Sequence, residues 1–557
     1  MPTPLTPRLP WTRLALAAIL VLTASAGSCS QEPRQDTTPT PSRVAPADLP
    51  RPDLRLLVIT DLDGYLEPCG CTSRPLGGID RLAARLAEVR ADGVPSVLVS
   101  AGNVFFHGVP DGEEAERGRA QELWRAETVT DVLARLELAA AAPGPHDFAF
   151  GTEAFEALVA RAPFPLLAAG VELSGGEAPA AEPALVATTT LRAGSVAVGI
   201  VGLTDLRGAD GSLPARVEER AALREAGRAA VRSLREGGAD VVVALVRGDR
   251  RTVRSLATGI EGVDFVVQGG LDAADPSPPL EAGGAVLLHA ARQGHGVTVV
   301  DLFRRGQGAW TDASVWTREA QRAHVTERIE ALERQIAAWE ADTSVNRADV
   351  AQQRARLERL QAEAAALLRP PAIEGNAFSA RFEELGPEAA REPSVSALLD
   401  AYDRRVNDHN RVALADWLPE PAAEGQPHYV GSQTCASCHG AAVRWWRTTQ
   451  HGRAYATLAD QNKNYNLSCV GCHVTGYRRP GGSTAAHEEN LENVGCESCH
   501  GPGSMHVSDP TGAAVNVVRA PEASTCVGCH NEEHSDRFDC ATSRRLMIAP
   551  GHGMPAQ

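Results

Sequence analysis

Positive charge is scarce in this chain. Lys and Arg number 54 against 70 Asp and Glu, a net charge of −16 spread along the sequence. No basic face is available to displace counterions from a phosphate backbone, so nucleic acid is excluded as a partner. Long apolar runs are lacking too: Leu14–Leu22 is too short to cross a bilayer. There is also no disulfide framework. Of 12 Cys, 8 belong to one repeated motif and one to the N-terminal segment, leaving Cys69, Cys71 and Cys540; a scaffold stapled by paired cysteines is ruled out. From Pro427 onward large apolar side chains are few and Gly, Asn, Ser and Thr many, so something other than side chains must fill that interior.

What is present there is a five-residue pattern, four times over: Cys435-Ala-Ser-Cys438-His439, Cys469-Val-Gly-Cys472-His473, Cys496-Glu-Ser-Cys499-His500 and Cys526-Val-Gly-Cys529-His530. Two thiols three positions apart reach the two vinyl groups of one porphyrin as thioethers, and the adjacent His supplies the proximal iron ligand. Zinc ribbons also use Cys-x-x-Cys with nearby His, but they do not require a His directly after every second Cys. The proximal histidines follow one another at intervals of 34, 27 and 30 residues, too close for each haem to own a domain. Four haem c groups sharing one core are therefore expected, and the segment should not fold without them.

The length of 557 residues predicts three or four domains. Arg8 and Arg13 precede Leu14–Leu22, which ends in small residues, the pattern of a secretory signal. Two cleavage readings compete: Ala24-Ser25-Ala26 fits ordinary signal peptidase, while Ala26-Gly27-Ser28-Cys29 resembles a bacterial lipobox with Cys29 as the lipidated residue, although lipoboxes usually carry Leu where Ala26 stands. With residues 1–29 as signal, residues 30–53, rich in Pro, Thr and acidic groups, read as a disordered stalk. The expectation is a periplasmic protein held to the membrane by a lipid.

From 54 to 308 short β-branched runs alternate with amphipathic helices. Expected strands are Leu56–Thr60, Ser96–Ala101, Val196–Gly202, Asp240–Val246, Val263–Val267, Ala285–His289 and Val297–Leu302; expected helices are Gly78–Ala91, Thr152–Arg161, Glu218–Gly237 and Thr252–Gly259. This is an α/β layered arrangement with a buried sheet.

The strand ends carry a resemblance. Ile59-Thr60-Asp61-Leu62-Asp63-Gly64, Ser100-Ala101-Gly102-Asn103, Gly144-Pro145-His146-Asp147-Phe148, Val243–Arg247 and Val267–Asp272 follow the order seen in the 5′-nucleotidase branch of the metallophosphoesterases. The resemblance implies a layered sandwich and, in the family, a dinuclear metal hydrolase. Carried over, Asp61 and His146 survive as ligands. Asp63 stands where a His is expected and Asn103 where the bridging carboxylate should be. Pro145 replaces an Asn ligand, Arg247 the strand-end His, and Gly270 and Asp272 the last His pair. Losing the bridge and the nitrogen donors makes a divalent metal doubtful, so the phosphoesterase site Asp61, Asp63, Asn103 and His146 reads as degenerate. The first loop, Leu66-Glu67-Pro68-Cys69-Gly70-Cys71, resembles a nucleotidase-like (seleno)protein subgroup with Glu-Pro-Cys-Gly-Cys. Cys69 and Cys71 are redox or soft-metal candidates, alternatively buried inert thiols. His107, His289 and His295 have no partner readable from the sequence.

Residues 309–370 show apolar steps of four and three, Val325 to Trp339 and Leu357 to Leu367, on either side of a polar break: an antiparallel helical hairpin. It serves as a rigid spacer or as a dimerisation element. A connector, 371–426, with a helix over 394–407, leads to the haem module, 427–557.

That module resembles the tetrahaem cytochrome c family of the hydroxylamine-oxidising pathway, on its four motifs, Trp445–His451, His500-Gly501-Pro502-Gly503 with His506, His534 and Gly551-His552-Gly553. Eleven of the 16 His lie from His409 onward, a surplus over four proximal ligands. His451, His506, His552 and His534 are the distal candidates, with His428 and His487 as spares and Met505, Met547 and Met554 as alternatives. Three functions follow: electron transfer with a redox protein or quinone-linked carrier as partner; an oxidoreductase using Cys69 and Cys71 with the haems as relay; or metal-dependent phosphoester hydrolysis. Oligomeric state is left open.

Overall fold

The computed structural model describes residues 46–554 apart from 69–73, 109–111, 175–184, 272–275, 307, 488, 512–516, 532–534 and 536–537. Cys29, Cys69, Cys71, Asp272 and His534 therefore lie outside the described residues. Among those described, no helix is long and apolar enough to cross a membrane.

Alternation along the first strand decides the architecture. In Leu54–Thr60, Leu57 and Ile59 face one apolar cluster while Leu54, Leu56 and Val58 face another, as the two-residue period of a strand requires. Both faces are thus covered, and the strand reads as a continuous apolar run. The sheet containing it has the order Trp310–Asp312, Asn376–Glu384, Gly296–Phe303, Leu54–Thr60, Ser96–Ala101, Leu138–Ala142. Its last three strands run parallel, and Gly296–Phe303 is antiparallel to both of its neighbours.

A second six-stranded sheet has the order Leu280–Ala282, Ala285–Leu288, Phe265–Gly269, Val241–Arg247, Val196–Thr204, Thr188–Ala193, with a parallel centre and antiparallel edges. The sheets pack face to face through Val58, Val97, Val99, Val198, Ile200, Val243, Leu245 and Phe265. Helices Leu223–Glu236 and Arg250–Gly259 cover the outer face of the second sheet. Helices Ile79–Arg90, Arg119–Arg135, Thr152–Arg161 and Pro393–Ala413 cover that of the first. Each fully buried Leu, Ile, Val or Phe contributes roughly 1.5–3 kcal/mol relative to exposure. The result is the expected layered α/β sandwich.

Three details differ from expectation. The helix expected over 218–237 begins only at Leu223, because Val217–Glu219 pairs with Val171–Leu173 as a small antiparallel ribbon. Leu138–Ala142 is a strand despite its four alanines: parallel pairing and the burial of all but Ala139 outweigh a helix-favouring composition. The sheet also draws on residues beyond 308, since Trp310–Asp312 and Asn376–Glu384 form its edge.

That last fact changes the hairpin's role. Helices Val315–Ala341 and Arg347–Ala366 pack through Val325, Leu332, Ile336 and Leu360, and Asn346 caps the second by accepting from the Ala348 N–H. The hairpin leaves from one edge strand and returns to its neighbour, so its length does not set the distance to the haem segment. The spacer reading is therefore corrected.

Candidate functional site

Each attachment motif lies on or at the end of a short helix: Ser432–Trp446, Leu467–His473, Cys496–His500 and Ala523–Val527. Helical spacing puts residues i and i+3 on one face, so both thiols of a motif can meet one porphyrin edge. At His439 the first helix kinks, with φ −109° and ψ 37°. Asn466 caps the second by accepting from Ser468 N at 3.0 Å.

Three motif histidines face a second imidazole. Ring centres lie 6.2 Å apart for His439 and His506, 6.0 Å for His530 and His451, and 6.0 Å for His500 and His552. An iron with two axial imidazole nitrogens, each at about 2 Å, separates the ring centres by roughly 6 Å. The residues therefore fit haem iron. Nδ1 of His473 lies 2.5 Å from Ala454 O, that of His500 2.6 Å from Val518 O and that of His552 2.5 Å from Met547 O. Donating Nδ1–H to a carbonyl fixes the ring and leaves Nε2 as the ligand. Burial lowers the pKa of His451 and His530, each favouring the neutral, iron-binding form.

His473 is different: among the described residues no second imidazole packs on its ring. The spare His487 instead packs edge-on to Tyr455 at 5.0 Å, and with His428 borders a cavity of about 850 Å³.

A buried carboxylate that sequence reading missed holds these turns together. Glu497, inside the third motif, accepts from Val430 N, Gly431 N and Gly503 N at 2.6–3.1 Å, tying the loop before the first motif to the third.

In the sandwich, the second candidate site lies where strand ends from both sheets converge. Asp61 and Asp63 follow the first strand in left-handed backbone, φ 45° and 51°. Asp61 accepts from Gly270 N through both carboxylate oxygens, at 2.9 and 2.8 Å. Gly102 at φ 95° is required here, since a Cβ would stand 1.9 Å from Asp61 Oδ1. Asn103 donates through Nδ2 to Asp63 Oδ1 at 3.0 Å, lies 3.1 Å from His146 Nδ1, and accepts from His146 N at 3.2 Å. Asp61, Asp63, Asn103 and His146 are thus brought together, as the resemblance implied.

Their chemistry is that of a closed hydrogen-bonded network. Asn103 is neutral and spends its donor on Asp63, so no anion bridges two cation positions. Burial, then the charge of Asp63, pushes Asp61 up to about 7, against the pull of Gly270 N–H and the Arg247 cation. Burial likewise pushes Asp147 up to about 7, although Phe105, Gly144 and Val104 N–H donate to it. Among the described residues no group of three or more His, Cys, Asp and Glu is arranged to hold a metal ion. These donors do not fit a dinuclear metal centre. His107 is exposed against Tyr65. His289 is buried, its pKa lowered to about 4 by burial and then by Arg250.

Residues 434–501 match the family described as cytochrome c554 and c-prime. The match puts a cytochrome c554 domain at the C-terminal end. It spans the first three motifs, and the fourth lies beyond it. Cytochrome c-554 of Nitrosomonas europaea is 38% identical over 91 residues, 14% of this chain and 39% of that protein, so the chain spans well under half of the relative's length. Among solved structures, likeness extends to a 5′-nucleotidase precursor from Thermus thermophilus, at 18% identity and a TM-score of 0.44 over 68% of this chain and 62% of that one. It extends also to calcineurin-like phosphoesterase YfkN from Bacillus subtilis, at 16% and 0.42 over 64% and 98%.

Proposed function

We propose that the protein is an extracytoplasmic electron carrier with four haem c groups, attached through Cys435 and Cys438, Cys469 and Cys472, Cys496 and Cys499, and Cys526 and Cys529. The carrying observation is the facing of His439, His500 and His530 by His506, His552 and His451 at iron-bridging separation. When bound, haem would supply one-electron chemistry; the chain's part would be to offer His439 with His506, His500 with His552 and His530 with His451 as imidazole pairs for three of the irons, and His473 for the fourth. Among the described residues no second imidazole lies against His473, so a haem held there would be the one to examine for binding of a small molecule. The α/β domain acts as a docking or binding module whose metal site has lapsed. A redox protein or quinone-linked carrier exchanges electrons with the haems, and a lipid on Cys29 holds the protein at the periplasmic face of the membrane.

Haem staining after denaturing electrophoresis, with intact mass after expression alongside haem-maturation machinery, tests this reading; a mass matching apoprotein or bound zinc overturns it. Cys29→Ala should release the protein into the soluble periplasmic fraction.

A second reading, an oxidoreductase, is favoured by one contact: Glu67, two residues before Cys69, is ion-paired with Lys463 of the haem segment. The two thiols would lose two protons and two electrons to form a disulfide, each electron reducing one ferric haem. Cys69→Ser or Cys71→Ser should then abolish thiol-dependent haem reduction while haem content stays unchanged.

A further inference from the structure

Of the 54 Lys and Arg in this chain, one is a lysine, Lys463. Its ammonium is ion-paired with Glu67 and lies 3.5 Å from Asp403 Oδ2, with the lysine side chain 12% exposed and that of Asp403 8%. Burying an ammonium is costly unless anions surround it, and here two do.

This triad lies at a junction. Glu67 belongs to the first loop of the α/β domain, four residues after Asp63, and Asp403 to the helix Pro393–Ala413. Lys463 precedes the second attachment motif. Contacts from the α/β domain converge on residues 463–478 around that motif. Asn410 Nδ2 donates to Tyr465 O at 2.9 Å, Leu467 N to Gln121 Oε1 at 3.1 Å, and Arg125 Nη2 to Ser468 Oγ at 2.8 Å. Beyond the motif, Tyr477 OH and Arg478 Nη1 donate to Glu114 at 2.8 and 2.6 Å.

A haem iron loses one unit of positive charge on reduction. A neighbouring cation favours the ferrous form and a neighbouring anion the ferric form, and the effect is strong where water is excluded. We propose that Glu67 and Lys463, with Asp403, form an electrostatic coupler through which the α/β domain sets the potential of the haem bound at Cys469 and Cys472. The inference rests on the tetrahaem reading and adds which haem faces the domain.

The test is a redox titration of the full-length holoprotein, followed by optical and paramagnetic resonance spectra. The second haem is assigned by its absence from a Cys469→Ala, Cys472→Ala double variant, and haem number is fixed by intact mass. Lys463→Met should lower the midpoint of the second haem, Glu67→Gln should raise it, and Lys463→Arg should leave it close to wild type, with the other three unmoved. A loosened interface without electrostatic coupling would move the two neutral variants in the same direction or disturb several haems. Shifts of like sign, shifts spread over several haems, or no shift overturn the coupler while four haems on the wild type keep the electron-transfer reading. A wild-type mass lacking haem at the second motif overturns both. If Lys463→Met fails to fold, the sign of the Glu67→Gln shift decides.

Discussion

The carboxamide of Asn103 donates to Asp63 at 3.0 Å, a hydrogen bond at the position where a dinuclear centre needs a shared anion. Asn103→Asp would replace that donor with a third carboxylate beside Asp61 and Asp63. The metal-free variant should lose about 1–3 kcal/mol at pH 8, for the lost hydrogen bond and the added repulsion. Added Mn²⁺ should restore part of that loss and EDTA remove the gain, while wild-type melting stays indifferent to both; thermal unfolding with and without metal checks this.

The same network predicts an absence of hydrolysis. Manganese- or zinc-dependent phosphate release from nucleotides should be negligible, and His146→Ala should not change it. Efficient turnover abolished by His146→Ala would restore the hydrolase reading.

Burial of Asp61 gives a pH signature. Its folded pKa, raised to about 7, exceeds the unfolded value of about 3.9, so the folded state binds more protons between those limits. Stability from this group therefore falls as pH rises from about 4 to about 7 and is flat above. Asp61→Asn cannot ionise, and its stability relative to wild type should rise by roughly 1–4 kcal/mol across that window. Denaturant unfolding of both proteins at pH 5, 6, 7 and 8 measures the difference.

Removal of one distal imidazole should act on one haem. His451→Ala should convert one low-spin haem to high-spin without changing haem number, since attachment rests on Cys526 and Cys529. His428→Ala, at a residue with no imidazole partner among the described residues, should leave the spectra unchanged. Optical and paramagnetic resonance spectra of ferric protein distinguish these outcomes.

Glu497→Ala would leave three backbone donors, those of Val430, Gly431 and Gly503, without their acceptor, at about 1–3 kcal/mol for each group left dry. Lower holoprotein yield, with the first and third haems lost before the others, should follow in intact-mass spectra.

Much of this was legible in the sequence where chemistry or pattern is local. The β-branched runs near Leu56, Val97, Val198, Val243 and Val266 all became strands, and the attachment motifs carry their own spacing. Leu138–Ala142 was not legible, since alanine favours helices and only its neighbouring strand makes it extended. Asn376–Glu384 was missed for another reason. It returns to the sheet after the hairpin, and its partner Gly296–Phe303 lies far back in sequence. The pairings of His451 with His530 and His552 with His500 likewise depend on three-dimensional folding, although the surplus of histidines announced that partners exist. Lys463 belongs to no motif and Glu497 fills a variable position inside the third, so their importance comes only from the anions and donors that fold against them.

The hairpin helices, the longer about 40 Å at 1.5 Å per residue, stand on two adjacent strands as a closed excursion. Their far end, the turn at 342–346, is accordingly a splice point. A fluorescent or affinity protein inserted there would ride on a stiff mast anchored in the sheet edge, outside the contacts between the α/β domain and the C-terminal segment.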